Sequence, residues 1–175
     1  MKATSEREEI EQQLTSHIAG LRRYAYVLIG DPAEADDLVQ ECLARALATT
    51  RPWKQVRDVR AYLFTILHNV HADRRWRFRR AGQSVDLDLV VSGLGYPAPQ
   101  EKRVEVHDLQ RALHKIPEEQ RQVLLLVGME GMSYREAATA LDVPIGTIMS
   151  RLSRGRTALQ ARLSGRGEGH LRRVK

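Results

Sequence analysis

Residues 133–159 read SYREAATALDVPIGTIMSRLSRGRTAL, and the folding of this stretch decides what the rest of the chain has to be. SYRE (Ser133 to Glu136) has the spacing of a capping box. The serine hydroxyl accepts from the amide three residues on, and the glutamate reaches back to the serine amide. It opens a short helix whose Ala137, Ala138 and Leu141 form a compact packing face. Val143 and Pro144 break the chain, and a second helix is predicted from about Ile145 to Leu163. On it Ile148, Leu152, Leu159 and Leu163 point inward, with Gly155 in the seam to allow close packing. Thr147, Ser150, Arg151 and Arg154 recur at helical spacing and are predicted to form one outward face. A short capped helix, a tight break and a basic second helix have the dimensions of a helix-turn-helix. Arginine contacts guanine edges in the major groove, and Thr and Ser reach bases or phosphates. The competing reading is an ordinary basic amphipathic helix packed on a bundle.

Charge distribution favours the first reading. The 175 residues carry a formal net charge of +6, unevenly placed. Residues 1–50 are acidic, with 5 Lys/Arg against 9 Asp/Glu. Residues 51–80 hold 9 against 2, and residues 143–175 hold 8 against 1. Two basic blocks separated by neutral or acidic sequence suit two contacts with a polyanion, and nucleic acid is the obvious one. The alternative for each block alone is a solvated helix face.

Helical periodicity extends over nearly the whole chain and strand signal is almost absent, so an all-α fold is expected. Residues 8–29 place Ile10, Leu14, Ile18, Leu21, Ala25 and Leu28 on one face. Asp31 caps and Pro32 opens a second helix to about Thr49. Its stripe is Leu38, Val39, Cys42, Leu43, Ala46 and Leu47, with Glu34, Asp36, Asp37, Gln40 and Glu41 largely opposite. A loop with Trp53 leads to a helix over about 59–79, with Tyr62, Leu63, Ile66, Leu67 and Val70 inward. It ends in five arginines among residues 74–80, interleaved with Trp76 and Phe78. Residues 81–101, rich in Gly and Pro, read as a linker. Beyond it, residues 102–115 direct Val106, Leu109, Ala112 and Leu113 inward, with Ile116 just after them, and Pro117 opens a helix whose VLLLVG run must be core. Gly165, Gly167 and Gly169 predict a loose basic tail over 164–175.

Several function classes are excluded or disfavoured on the same residues. No apolar run approaches the roughly 18 residues of a membrane span, and the N-terminus is unlike a signal peptide, so a cytoplasmic protein is expected. The lone Cys42 allows no internal disulfide and reads as a small core residue. His17, His68 and His71 have no companions at metal-ligand spacing. No phosphate loop or nucleophile elbow is present, so no enzyme, metal or cofactor is expected.

The segment IPEEQRQVLLLVGMEGMSYREAATALDVPIGTIMSRLSRGRTAL (residues 116–159) resembles region 4 of the extracytoplasmic-function (ECF) sigma factors of bacterial RNA polymerase. GDPAEADDLVQECLARAL (30–47) and RAYLFTILHNVHADRRWR (60–77) resemble that family's region 2. Together they cover about residues 8–163 and lean toward the proteobacterial general-stress branch. The resemblance implies two small helical domains joined by a flexible linker: region 2 over 8–80, the linker over 81–101 and region 4 over 102–163, followed by the tail. It implies minus-35 reading by Thr147, Ser150, Arg151 and Arg154. It implies that Asn69 contacts the opened minus-10 strand, with Arg74, Arg75 and Arg77 on phosphates. Trp76 could stack on bases there or pack as core, and core packing is the expectation for Tyr62. Asp36, Asp37, Gln40, Glu41 and Arg45 would meet the polymerase clamp helices. The implied partners are core RNA polymerase (clamp helices and flap), promoter DNA and an anti-sigma factor, with the linker letting the domains clamp or splay. Two alternatives compete: a sigma-like decoy that titrates an anti-sigma protein, and a stand-alone helix-turn-helix regulator. A decoy of that kind would carry a receiver domain's βα repeat, which is not seen in these residues. A stand-alone regulator would leave the acidic helix and the 51–80 block unexplained.

Overall fold

The computed structural model describes residues 2–48, 56–80 and 108–170, with side chains described for residue 10 and over 12–48, 56–80 and 108–164. The predicted linker, Trp53, Val106 and the last five residues lie outside that set. Among the described residues all regular structure is helical. Seven helices follow in order: α1 (Lys2–Ile29), α2 (Pro32–Leu47), α3 (Val59–Arg80), α4 (108–114), α5 (Glu118–Leu124), α6 (Tyr134–Leu141) and α7 (Ile145–His170).

Local chemistry sets the boundaries. Gly30 ends α1 at φ +91°, a conformation L side chains rarely adopt. Asp31 then caps α2, accepting from the Glu34 amide at 2.8 Å, with Pro32 in the first turn. Asp58 does the same for α3 through the Ala61 amide at 2.9 Å. The predicted capping box is present: the Glu136 carboxylate accepts from the Ser133 amide at 2.6 Å, and the Ser133 hydroxyl from the Glu136 amide at 3.2 Å. Asp142 closes α6 in the left-handed region at φ 51°, a role Asp tolerates better than most residues.

Helices α1, α2 and α3 pack around Leu21, Tyr24, Leu28, Leu38, Val39, Cys42, Leu63, Phe64, Leu67 and Val70, all buried. Tyr24 meets Phe64 edge to face at 5.3 Å. The second half buries Leu113, Ile116, Val123, Leu125, Leu126, Met132, Ala137, Leu141, Ile148 and Leu152. These two sets belong to one contiguous cluster, because α3 packs on α6 and α1 reaches α5.

Leu47, Leu109 and Leu163 are 56%, 40% and 41% exposed rather than inward. Leu47 stands in the last turn of α2, Leu109 at the edge of the described residues and Leu163 toward the exposed end of α7. Of the loose tail expected over 164–175, residues 164–170 continue α7, which stays helical to His170, and residues 171–175 lie outside the described residues. Extending a helix already nucleated requires no new nucleus, so glycines costing roughly 1 kcal/mol each do not stop it. A further feature was not foreseen: the VLLLVG run passes into a π turn at Leu125–Met129 before Gly131 (φ +67°) ends it.

Candidate nucleic-acid and polymerase interface

The recognition surface starts with how α7 is held. A Cβ on Gly155 would stand 3.0 Å from Leu124 Cδ1, so its absence lets α7 lie directly on α5. With Ile148 and Leu152 buried, the opposite face of α7 is open. Ser150 and Arg154 lie on it and are linked: Arg154 Nε donates to the Ser150 carbonyl at 3.3 Å. Thr147 and Arg151 are half-buried at the flank of that face rather than on it. Arg151 Nη2 lies 3.4 Å from Glu119 Oε2, on the side toward α5. Sequence reasoning missed Met149, 54% exposed and beside Ser150. Its signal was available, since it falls off the Ile148–Leu152 stripe.

The surface of α3 divides its candidates. Asn69 and Arg77 are exposed, and Trp76 is 60% exposed with the Arg80 guanidinium 5.1 Å from its ring centroid. Asn69 borders a shallow cavity of about 310 Å³ shared with Arg45, Ala48, Tyr62 and Ile66. Tyr62, expected in the core, instead lines this cavity half-buried, while Phe64 takes the core position. Arg74 is not on the open track: it donates to Glu41 Oε2 from Nε (2.9 Å) and Nη2 (2.7 Å), and to the Asp37 carbonyl (3.2 Å). Arg75 is ion-paired with Glu118 across the seam between the halves.

The acidic face of α2 is likewise partly committed. Asp37 and Gln40 are exposed, and Asp36 pairs with Arg22 at 2.8 Å. Glu41 holds both Arg74 and Arg45, and the Arg74 hydrogen bond above all keeps its carboxyl below the usual range. Arg45 continues to Asp73 at 3.1 Å, so α2 and α3 share one ion-pair network.

Burial shapes the histidines of α3 and Cys42. His71 Nε2 lies 3.1 Å from Glu118 Oε1, yet burial first and then Arg75, Arg121 and Arg74 pull its pKa down to about 4. The carboxylate does not rescue it, because its charge is already committed to Arg75. His68 is lowered by burial, then by His71 and Arg151, and its Nδ1 is buried without a partner. Burial pushes the Cys42 thiol up to about 12, and its Sγ donates to the Leu63 carbonyl at 3.3 Å. Among the described residues no group of three His, Cys, Asp or Glu side chains is placed to hold a metal, and no helix is long and apolar enough to cross a membrane.

Comparison with known proteins sets the class. Residues 107–159 match the family model "Sigma-70, region 4", and residues 14–68 match "Sigma2 domain of PhyR". The ECF RNA polymerase sigma factor EcfG of Rhodopseudomonas palustris (strain TIE-1) is 35% identical over 156 residues, covering 89% of this chain and 86% of the relative. The RNA polymerase sigma-E factor of Streptomyces coelicolor is 32% identical over 165 residues, with 90% and 88% covered. Among solved structures, the sigma factor RpoE in complex with the anti-sigma factor NepR from Bartonella quintana superposes with a TM-score of 0.75 at 34% identity, covering 90% of this chain and 98% of that one. A PhyR–NepR complex from Sphingomonas shares the fold at 22% identity and a TM-score of 0.64. The fold and its two matched regions are those of a sigma-70-type transcription initiation factor. Within that class, the chain belongs to the ECF RNA polymerase sigma factors.

Proposed function

We propose that the chain gives core RNA polymerase its promoter preference by reading two DNA elements with two unlike surfaces. Helix α7 enters the major groove of the duplex minus-35 element, with Ser150 and Arg154 on the reading face and Thr147 and Arg151 at its flank. The α3 surface takes the opened minus-10 strand, with Asn69 and Tyr62 at the cavity and Trp76 and Arg77 along the track. Opened bases need pockets and stacking surfaces that a duplex does not. The exposed part of the acidic α2 face, Asp37 and Gln40, meets the polymerase clamp helices, with Asp36, Glu41 and Arg45 beside them. Contact with the polymerase flap belongs to the same reading.

The observation that carries this reading is the presentation of Ser150 and Arg154 on the open side of a helix whose other side is locked onto α5 by Gly155. An anti-sigma partner is part of the proposal, supported by the solved RpoE–NepR complex. The decoy reading has one observation in its favour, the match of residues 14–68 to the PhyR sigma2 model. Against it stands a second helix that keeps Ser150 and Arg154 on its open face, a surface a titrating decoy does not need. Footprinting of promoter complexes made with core polymerase separates the two surfaces. Arg154→Ala should lose protection at the minus-35 element, and Asn69→Ala should lose permanganate reactivity at minus-10. If both variants footprint like the parent, the assignment of surfaces is wrong.

A further inference from the structure

The charges at the seam between the halves support one more step, which rests on the assignment of Arg75 and Arg151 to DNA. Glu118 and Glu119 are the first two residues of α5. The Glu118 side chain, 21% exposed, pairs with Arg75 through one carboxylate oxygen and lies 3.1 Å from His71 Nε2 through the other. The Glu119 carboxylate lies 3.4 Å from Arg151 Nη2. Two adjacent acids therefore occupy one arginine from each DNA-binding block.

We propose that Glu118 and Glu119 stand in for DNA phosphate in the free chain, so that nucleic acid must displace them to reach Arg75 and Arg151. A carboxylate and a phosphate present guanidinium with the same kind of oxygen acceptors, so one substitutes for the other. The surroundings of Arg75 favour the exchange only if another anion arrives. Arg121 is buried beside it, 5% exposed, with its Nη1 3.3 Å from His114 Nδ1 and its Nε without a partner. Arg75 thus faces a second cation and keeps its place through Glu118. The Glu119 pair is weaker, since the Glu119 side chain is 72% exposed and solvent competes for it. Glu118 is therefore the dominant blocker, and it guards the single-strand track.

The test is binding of the full chain to a labelled single-stranded oligonucleotide at about 0.15 M salt, where the Debye length is about 8 Å, followed by fluorescence anisotropy. Glu118→Gln should tighten binding by about fivefold, the scale of a partly exposed ion pair. It should also steepen the log–log salt dependence by roughly 0.7, the value of one added phosphate contact to a single strand. Asp142→Asn makes the same change in net charge on an exposed residue and should change affinity less than about twofold, because exposed charges are largely screened. Arg75→Ala should weaken binding and abolish the effect of Glu118→Gln. Equal tightening by Glu118→Gln and Asp142→Asn would reduce the effect to bulk charge and overturn the proposal. If Arg75→Ala weakens binding while Glu118→Gln changes nothing, the proposal fails and the Arg75 assignment stands. If Arg75→Ala changes nothing, the assignment fails and takes the proposal with it.

Discussion

Replacing Glu130 with glutamine removes a negative charge from the seam, where its side chain is 3% exposed. Its Oε1 accepts from Arg23 Nε at 3.0 Å and Nη2 at 2.8 Å, while Arg60 reaches Oε2 at 3.5 Å and the Glu130 carbonyl. These arginines come from α1 and α3, so the residue pins the second half to two helices of the first. Removing one member of a fully buried pair costs about 3–5 kcal/mol. Arg23 and Arg60 keep 47% and 34% of their side-chain exposure, so water recovers part of their solvation. The scale of a hydrogen bond to a charged group, about 1.5–3 kcal/mol, is therefore the better figure. At roughly 2–4 °C per kcal/mol for a chain of this size, the melting temperature should fall by about 3–12 °C in circular dichroism. The difference should survive high salt, because buried pairs are screened far less than exposed ones. Gly20→Ala should act through the same contact, since its Cβ would stand 2.9 Å from Glu130 Oε2. A melting temperature unchanged within about 1 °C, or a difference that salt erases, would mean that Glu130 does not anchor the two halves as a buried charge.

Other outcomes follow from the same geometry. Arg154→Ala should weaken binding to a minus-35 duplex by about 1–3 kcal/mol, the scale of a specific base contact. Equal affinity in a competition assay would remove that residue from the reading face. The His71 pKa is depressed to about 4 in the fold against 6.5 when free, so below pH 6.5 the unfolded state binds the extra proton. Stability should therefore be full above pH 6.5 and fall toward pH 4, and urea titrations of His71→Gln should show a flatter profile across that window. Cys42, with its thiol raised to about 12, should resist thiol reagents at pH 8 until the chain is unfolded. Native-state labelling at the rate of a free thiol would contradict its burial.

What the sequence made legible was local. Asp31 with Pro32, and Ser133 with Glu136, are cap signals complete within four residues, and both form as read. Gly155 was legible because it interrupts an apolar stripe at helical spacing. What escaped was long-range pairing. Nothing near Arg74 in the chain says that Glu41, 33 residues away, will hold it off the DNA track, and Glu130 meets Arg23 across 107 residues. Arg75 and Arg151 read as free cations for the same reason. Tyr62 was placed in the core and Phe64 was not, because a helix stripe two residues wide fixes which face is buried, but not which aromatic lies at its centre. The all-α class and the two matched regions were readable from periodicity and motif, whereas the packing of the two halves into one hydrophobic cluster was not.

Run-off transcription with purified core polymerase reads promoter-specific initiation by this chain. Adding the full chain to core polymerase on templates carrying paired minus-35 and minus-10 elements should give discrete transcripts that core alone does not make. Those transcripts should be lost with Arg154→Ala and with Asn69→Ala. A chain that binds core polymerase, or an anti-sigma protein, yet yields no promoter-dependent transcript on any such template would have no promoter-directing role and would favour the decoy reading.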